Sequence, residues 1–206
     1  MKVPLIVVTG PIASGKSTVA KAMAEGGGVY VDADILAHEA LEDPGFIARL
    51  QEEFGPEVIA GDGKVSRLRL ARTVFPDQKK LDRLNVIIRP YVKKLAREKL
   101  KELAETSKYI VLDAVLFLQY KFRLKADLVV LTDAPEEVRI RRMMRRNGFD
   151  RKEAELRIER QKDLFDDWEK AGVRLDTDIP LAEVRKEAAR IRDGFLEEYG
   201  RARRKR

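Results

Sequence analysis

The chain has 206 residues, is 37% charged and 44% hydrophobic, carries a net charge of +7, and contains no cysteine and a single histidine. That length supports one substantial core with room for a small appended subdomain. The missing cysteines exclude disulfides and thiolate metal sites, and one histidine excludes multi-histidine zinc sites. No apolar run approaches the roughly 18–20 residues that a membrane-spanning helix needs, and the chain enters a strand directly with no secretory signal, so a cytoplasmic protein is expected.

Residues 5–9, Leu-Ile-Val-Val-Thr, are a short apolar, β-branched run and predict a buried strand. Gly10-Pro11-Ile12-Ala13-Ser14-Gly15-Lys16-Ser17-Thr18 follows and fits G-x-x-x-x-G-K-[ST] in full. Val19, Ala20, Ala22, Met23 and Ala24 then predict a helix. Strand, glycine loop and helix form a cradle in which backbone N–H groups and a helix N-terminus converge on one anion. Lys16 is the mobile charge for the β- and γ-phosphates, and the Ser17 hydroxyl is placed to ligate Mg²⁺. Gly10, Ala13, Ser14, Gly15, Lys16, Ser17 and Thr18 are therefore the expected nucleotide-binding residues.

Gly26-Gly27-Gly28 ends that helix, and residues 29–32 predict a second strand. Residues 34–41 look helical, Asp43-Pro44-Gly45 reads as a turn, and Phe46, Leu50 and Phe54 carry a helical stripe; His38 is expected as a partly exposed helix residue with no catalytic role. Gly61-Asp62-Gly63 is a turn and Ser66 a helix cap. Residues 79–105 have helical spacing, with Pro90 expected to break or kink the segment near Arg89. Strands are expected at 109–113, 127–132 and 173–176. Asp133-Ala134-Pro135 reads as a helix start, with Asp as cap and Pro at the first helical position; that helix carries Arg139, Arg141, Arg142, Arg145 and Arg146 and ends near Asn147-Gly148. Residues 151–162 are helical, 181–199 form a final amphipathic helix, and the basic tail 201–206 is expected to stay solvated and disordered.

Strands separated by helices predict an α/β fold with a five-stranded parallel sheet flanked by helices. The expected division is a core of about 1–34, 107–138 and 170–200, a helical substrate-binding insertion at about 35–106, and a lid at about 139–169.

Phosphoryl transfer to an alcohol also needs charge stabilisation and a proton acceptor. Asp32 and Asp34 close the second strand, and alternation along an extended strand would turn both to one side. One acid would then serve Mg²⁺ or its water shell and the other the acceptor's proton; helix capping is the competing reading. Asp113 ends an apolar strand, either as a metal-holding acid or as an ordinary polar strand end. Arg142 and Arg146 lie one helical turn apart, facing one way, as lid arginines over phosphates or as a solvated basic face.

These pieces together resemble the dephospho-coenzyme A kinase family. The resemblance runs from about residue 2 to 198 and is carried by residues 9–18, by Val31-Asp32-Ala33-Asp34-Ile35-Leu36-Ala37-His38, by 62–67 with Leu70 and Val74-Phe75, by 133–137, by Arg142 with Arg146-Asn147-Gly148, and by Arg157 with Gln161. It implies a P-loop kinase that uses ATP and Mg²⁺ to phosphorylate the ribose 3′-hydroxyl of dephospho-coenzyme A, the last step of coenzyme A synthesis. It implies Asp34 as general base, Lys16 and Arg142 as further catalytic groups, Arg142 and Arg146 on ATP, Asp34, Arg89 and Arg157 on the acceptor, and Ser17, Asp32 and Asp113 as the metal set. The chain departs from the family's pattern at Ala13, at Arg89-Pro90, at Val115-Leu116-Phe117-Leu118-Gln119 and at Thr177. Two other readings stand beside it: a kinase for another small hydroxyl acceptor such as a nucleoside or nucleotide, and a non-catalytic ATP-binding regulator with affinity for nucleic acid. For the main reading no nucleic acid or membrane partner is expected.

Overall fold

Strand β1 (Leu5–Thr9) is buried at all five positions, as an apolar run is when both faces of a parallel sheet are covered. It pairs with β3 (Ile110–Asp113) on one side and β4 (Leu128–Asp133) on the other. β2 (Val29–Asp32) extends the sheet beyond β3 and β5 (Val173–Asp176) beyond β4, giving the order β2-β3-β1-β4-β5 with every pairing parallel. The chain thus crosses from one side of β1 to the other between β3 and β4. Ligands of open parallel sheets bind beyond the carboxyl ends of the strands at such a switch. The structure is a computed structural model that describes residues 3–115, 125–162 and 172–204.

Contacts divide the chain into two units, Met1–Asp32 with Lys101–Arg206, and Ala33–Leu100. In the first, α1 (Lys16–Ala24) and α8 (Leu181–Arg204) touch each other. One cluster joins Ile6 and Val8 of β1, Val19 and Met23 of α1, Tyr109, Val111, Val130, Leu175 and Val184. Full burial of such side chains contributes about 1.5–3 kcal/mol each. α6 (Glu136–Asn147) and α7 (Arg151–Glu159) share a smaller cluster of Ile140, Met143, Ala154 and Ile158, against which Ile12, Ala13 and Phe149 pack.

The second unit is helical: α2 (Ala33–Ala40), α3 (Pro44–Phe54), a 3₁₀ turn at Pro56–Val58, α4 (Arg67–Val74) and most of α5 (Gln78–Thr106). Its core is Phe46, Leu50, Phe54, Val58, Leu70, Val74 and Ile87. The Phe46 ring meets Tyr91 edge-on at 5.1 Å between centroids.

Several local expectations are corrected. Residues 43–45 are a helix start: Asp43 Oδ1 accepts the N–H groups of Gly45 (2.8 Å) and Phe46 (3.1 Å), with Pro44 in the first turn of α3. α5 runs unbroken through Pro90. A mid-helix proline costs about 3 kcal/mol, and α5 buries Ile87 before it and Val92, Ala96 and Leu100 after it, an apolar gain that exceeds that cost. Asp133 is the last residue of β4, paired with Asp176, and Pro135 rather than Asp133 is the N-cap of α6. Arg201, Arg203 and Arg204 are exposed but helical, forming the last turn of α8, where cations complement the helix C-terminus. Asp34 belongs to the first turn of α2, so strand alternation does not relate it to Asp32. Leu116–Gln119 of the altered segment, residues 163–169 of the expected lid, and residues 205–206 lie outside the described residues.

Candidate active site

The loop between β1 and α1 is closed by two glycines that no other residue replaces easily. Gly10 has φ 149°, and a Cβ there would collide with the Thr132 carbonyl oxygen and hydroxyl. Gly15 is left-handed at φ 87° and is the N-cap of α1. Ala13 also stands in the left-handed region, at φ 60°, which costs a residue with a Cβ about 1–2 kcal/mol. The positive end of the α1 dipole meets this loop, with Lys16 as the first helical residue.

Three consecutive loop residues are held by side chains from outside the loop. The Ile12 N–H donates to Gln161 Oε1 at 2.8 Å. The Ala13 carbonyl accepts from Arg142 Nη1 at 3.2 Å. The Ser14 carbonyl accepts from the Thr177 hydroxyl at 2.8 Å. The Ser14 hydroxyl adds a 2.7 Å bond to Thr132 Oγ1, whose own proton goes to the Thr9 carbonyl at 3.2 Å, so Ser14 is the donor of that pair.

At the ends of β1, β3 and β2 the acidic groups meet. Val8 and Asp32 both stand in register with Asp113. The Ser17 hydroxyl donates to Asp113 Oδ2 at 2.6 Å, and the Tyr30 hydroxyl lies 3.2 Å from Asp113 Oδ2 and 3.1 Å from Asp32 Oδ2. Burial pushes the Asp113 carboxyl above the usual carboxylate range, against the pull of the Ser17 hydrogen bond and the Lys16 charge, and Asp32 adds to the rise. Burial and the two carboxylates likewise hold the Tyr30 phenol up, so it acts as a neutral donor. Among the described residues no three His, Cys, Asp or Glu side chains are grouped to hold a metal. A hydroxyl with one or two carboxylates instead suits Mg²⁺, which keeps most of its shell as water and phosphate oxygens. The donor set Ser17, Asp113 and Asp32 therefore fits that ion.

Beside the loop is a cavity of about 510 Å³ lined by Ala13, Gly15, Thr18, Arg142, Arg146 and Thr177, with Ile179, Leu181 and Val184 as its apolar part. Its volume lies in the range of small-molecule sites. Arg142 is half-buried and committed: besides the Ala13 carbonyl it donates to Thr177 Oγ1 at 2.9 Å and to the Thr177 carbonyl at 2.6 Å. Arg146 is exposed, its Nε donating to Asn147 Oδ1 at 3.2 Å.

The structure thus brings Gly10, Ala13, Ser14, Gly15, Lys16, Ser17, Thr18, Asp32, Asp113, Arg142 and Arg146 into one unit around one loop. Arg157 is in the same unit on α7, stacked over the Phe149 ring at 4.2 Å and paired with Glu153 at 2.9 Å. Asp34 and Arg89 belong to the helical unit, on α2 and α5. There Asp34 is exposed one turn before His38, whose Nε2 lies 3.0 Å from Arg67 Nη2. A guanidinium only donates, so His38 is the acceptor at Nε2. Sequence reasoning gave no site role to Tyr30, Thr132, Gln161 or Thr177. The usable signal was position: Thr132 lies near the carboxyl end of β4 and Thr177 directly follows β5, where ligands of parallel sheets gather.

A family model described as dephospho-CoA kinase matches residues 4–183. A dephospho-CoA kinase of Carboxydothermus hydrogenoformans is 37% identical over 191 residues, covering 91% of this chain and 92% of that one. A solved structure of TT1252 from Thermus thermophilus is 31% identical, with a TM-score of 0.74 and coverage of 92% of this chain and 96% of that one. The structure of a Campylobacter jejuni dephospho-CoA kinase shares the fold at 22% identity, with a TM-score of 0.62 and coverage of 95% and 98%.

Proposed function

The chain belongs to the dephospho-CoA kinase family, and we propose that it transfers the γ-phosphoryl group of ATP to the ribose 3′-hydroxyl of dephospho-coenzyme A, giving coenzyme A and ADP. The observation that carries this reading is the complete P-loop seated on the N-terminus of α1, with Ser17 hydrogen-bonded to the buried acid Asp113. Lys16 and the loop N–H groups hold the β- and γ-phosphates. Ser17, Asp113 and Asp32 would hold Mg²⁺, which when bound neutralises phosphate charge. Arg142, Arg145 and Arg146 border the nucleotide cavity; Arg142, tied to three acceptors, shapes it, and Arg146 answers charge developing on the transferred group.

On the acceptor side, Asp34 takes the proton of the 3′-hydroxyl. The oxygen forms its bond to the γ-phosphorus as the bond from that phosphorus to the β–γ bridging oxygen breaks, and ADP leaves with the electron pair. Arg89 and Arg157 bind the anionic acceptor. The reaction joins two soluble metabolites and carries a cytoplasmic location with it. Among the described residues no helix is long and apolar enough to cross a membrane. Incubation with ATP, Mg²⁺ and dephospho-coenzyme A should yield coenzyme A, heavier by one phosphoryl group in mass spectrometry. Consumption of ATP without that product would refute the acceptor assignment.

A further inference from the structure

The Thr177 hydroxyl touches both the phosphate loop and its arginine. Thr177 is buried, directly after β5. Its hydroxyl donates to the Ser14 carbonyl at 2.8 Å, lies 3.0 Å from the Asp133 carbonyl, and accepts from Arg142 Nη1 at 2.9 Å. Its backbone completes the fit: the N–H donates to the Asp133 carbonyl at 2.8 Å, and the carbonyl accepts from Arg142 Nη2 at 2.6 Å. Its side chain also limits the loop from the other direction, since a Cβ on Gly15 would come within 3.2 Å of it. A hydroxyl with one proton and two lone pairs can serve the loop as donor and the arginine as acceptor at once. Neither valine nor alanine can do either.

We infer that Thr177 is a positioning residue for nucleotide binding: it fixes the Ser14 end of the loop and the Arg142 guanidinium in one arrangement, so that both are set before ATP arrives. The inference rests on the reading of the loop as the ATP site, though not on the identity of the acceptor. Preorganisation of this kind lowers the ordering that a ligand must impose and so raises affinity without touching the ligand. Arg142 and Thr177 must then act as a pair, and removing the second after the first should matter little.

The test is the affinity for ATP with Mg²⁺, measured by calorimetric titration of the whole chain, alongside the melting temperature. Thr177→Val should weaken ATP binding roughly tenfold, the scale of losing the hub of a buried hydrogen-bond network, at a temperature where the variant is still folded. Thr177→Ser should restore affinity to within about threefold of the starting protein, because the hydroxyl is what positions. Arg142→Lys should cost affinity in the parent and much less in the Thr177→Val background. Unchanged affinity in Thr177→Val, failure of serine to restore it, additive losses in the double variant, or a Thr177→Val chain that does not fold would each overturn the inference. Since no acceptor is present, a wrong substrate assignment leaves this result intact.

Discussion

In the core unit, Ser14, Thr132 and Thr177 are buried and their hydroxyls are hydrogen-bonded to carbonyls or to one another, while Asp113 is buried under Ser17 and Tyr30. In the helical unit Asp34, His38 and Arg67 stand exposed on α2 and α4, and the His38–Arg67 bond is itself exposed. The first arrangement is preset: groups that must meet three negatively charged phosphates are fixed in advance, and each depends on the fold around it. In the second, the charged groups stand open to solvent. The contrast teaches where the effect of a substitution should appear. Changes around the loop should move stability and ATP affinity together, whereas changes on the helical unit's exposed face should move turnover alone.

The largest expected effect is that of Lys16→Ala, which removes the loop's charge from the phosphates. Turnover should fall by roughly 10³-fold with weaker ATP binding, the scale of losing a key charge-stabilising group. Wild-type turnover in a coupled ADP-release assay would break the donor half of the comparison. Asp34→Asn comes next: a fall in kcat of about 10²-fold or more, with ATP affinity and melting temperature held near those of the parent. A melting temperature that drops with activity would show that Asp34 is wired into the fold as the core groups are.

Asp113→Asn separates function from stability inside the core. Burial raises this carboxyl's pKa in the folded chain, so its charge opposes folding above the unfolded pKa and the penalty vanishes as pH falls below it. The variant should therefore melt higher than the parent at neutral pH in EDTA, lose that advantage in acid, and lose activity with Mg²⁺ at every pH. A lower melting temperature at neutral pH would contradict the assignment of a strained, functional acid. The smallest effect is that of Ala13→Gly. It relieves left-handed strain of about 1–2 kcal/mol, and it forfeits both the methyl packed against the cluster of Ile140, Met143, Ala154 and Ile158 and about 0.4–1 kcal/mol of unfolded-chain entropy. The net change should be within about 1 kcal/mol by denaturant titration.

Legibility in the sequence followed the range of the interactions. β1, the loop and α1 were readable because strand burial, glycine geometry and the motif are all local, and the five strands expected in a parallel sheet are all present and paired parallel, though their order was not legible. Pro90 does not break α5, because a local breaker is outweighed by apolar burial on both sides of it. Asp34 was placed on a strand because the turn into α2 comes at Ala33, one residue after β2 ends, and periodicity does not resolve boundaries that fine. Tyr30, Gln161 and Thr177 were missed as site residues because their partners lie far along the chain, 83 residues away for Tyr30 and Asp113, 149 for Gln161 and Ile12, and 163 for Thr177 and Ser14.

The central claim is a preset ATP site serving one acceptor, and its most direct test is kcat/KM for dephospho-coenzyme A beside a panel of nucleosides, nucleotides and sugars at saturating ATP and Mg²⁺. Dephospho-coenzyme A should exceed every other acceptor by at least about 10²-fold, a discrimination that a site built on hydrogen bonds to its substrate readily reaches. A different acceptor turned over as fast or faster, with dephospho-coenzyme A left unphosphorylated, would contradict it.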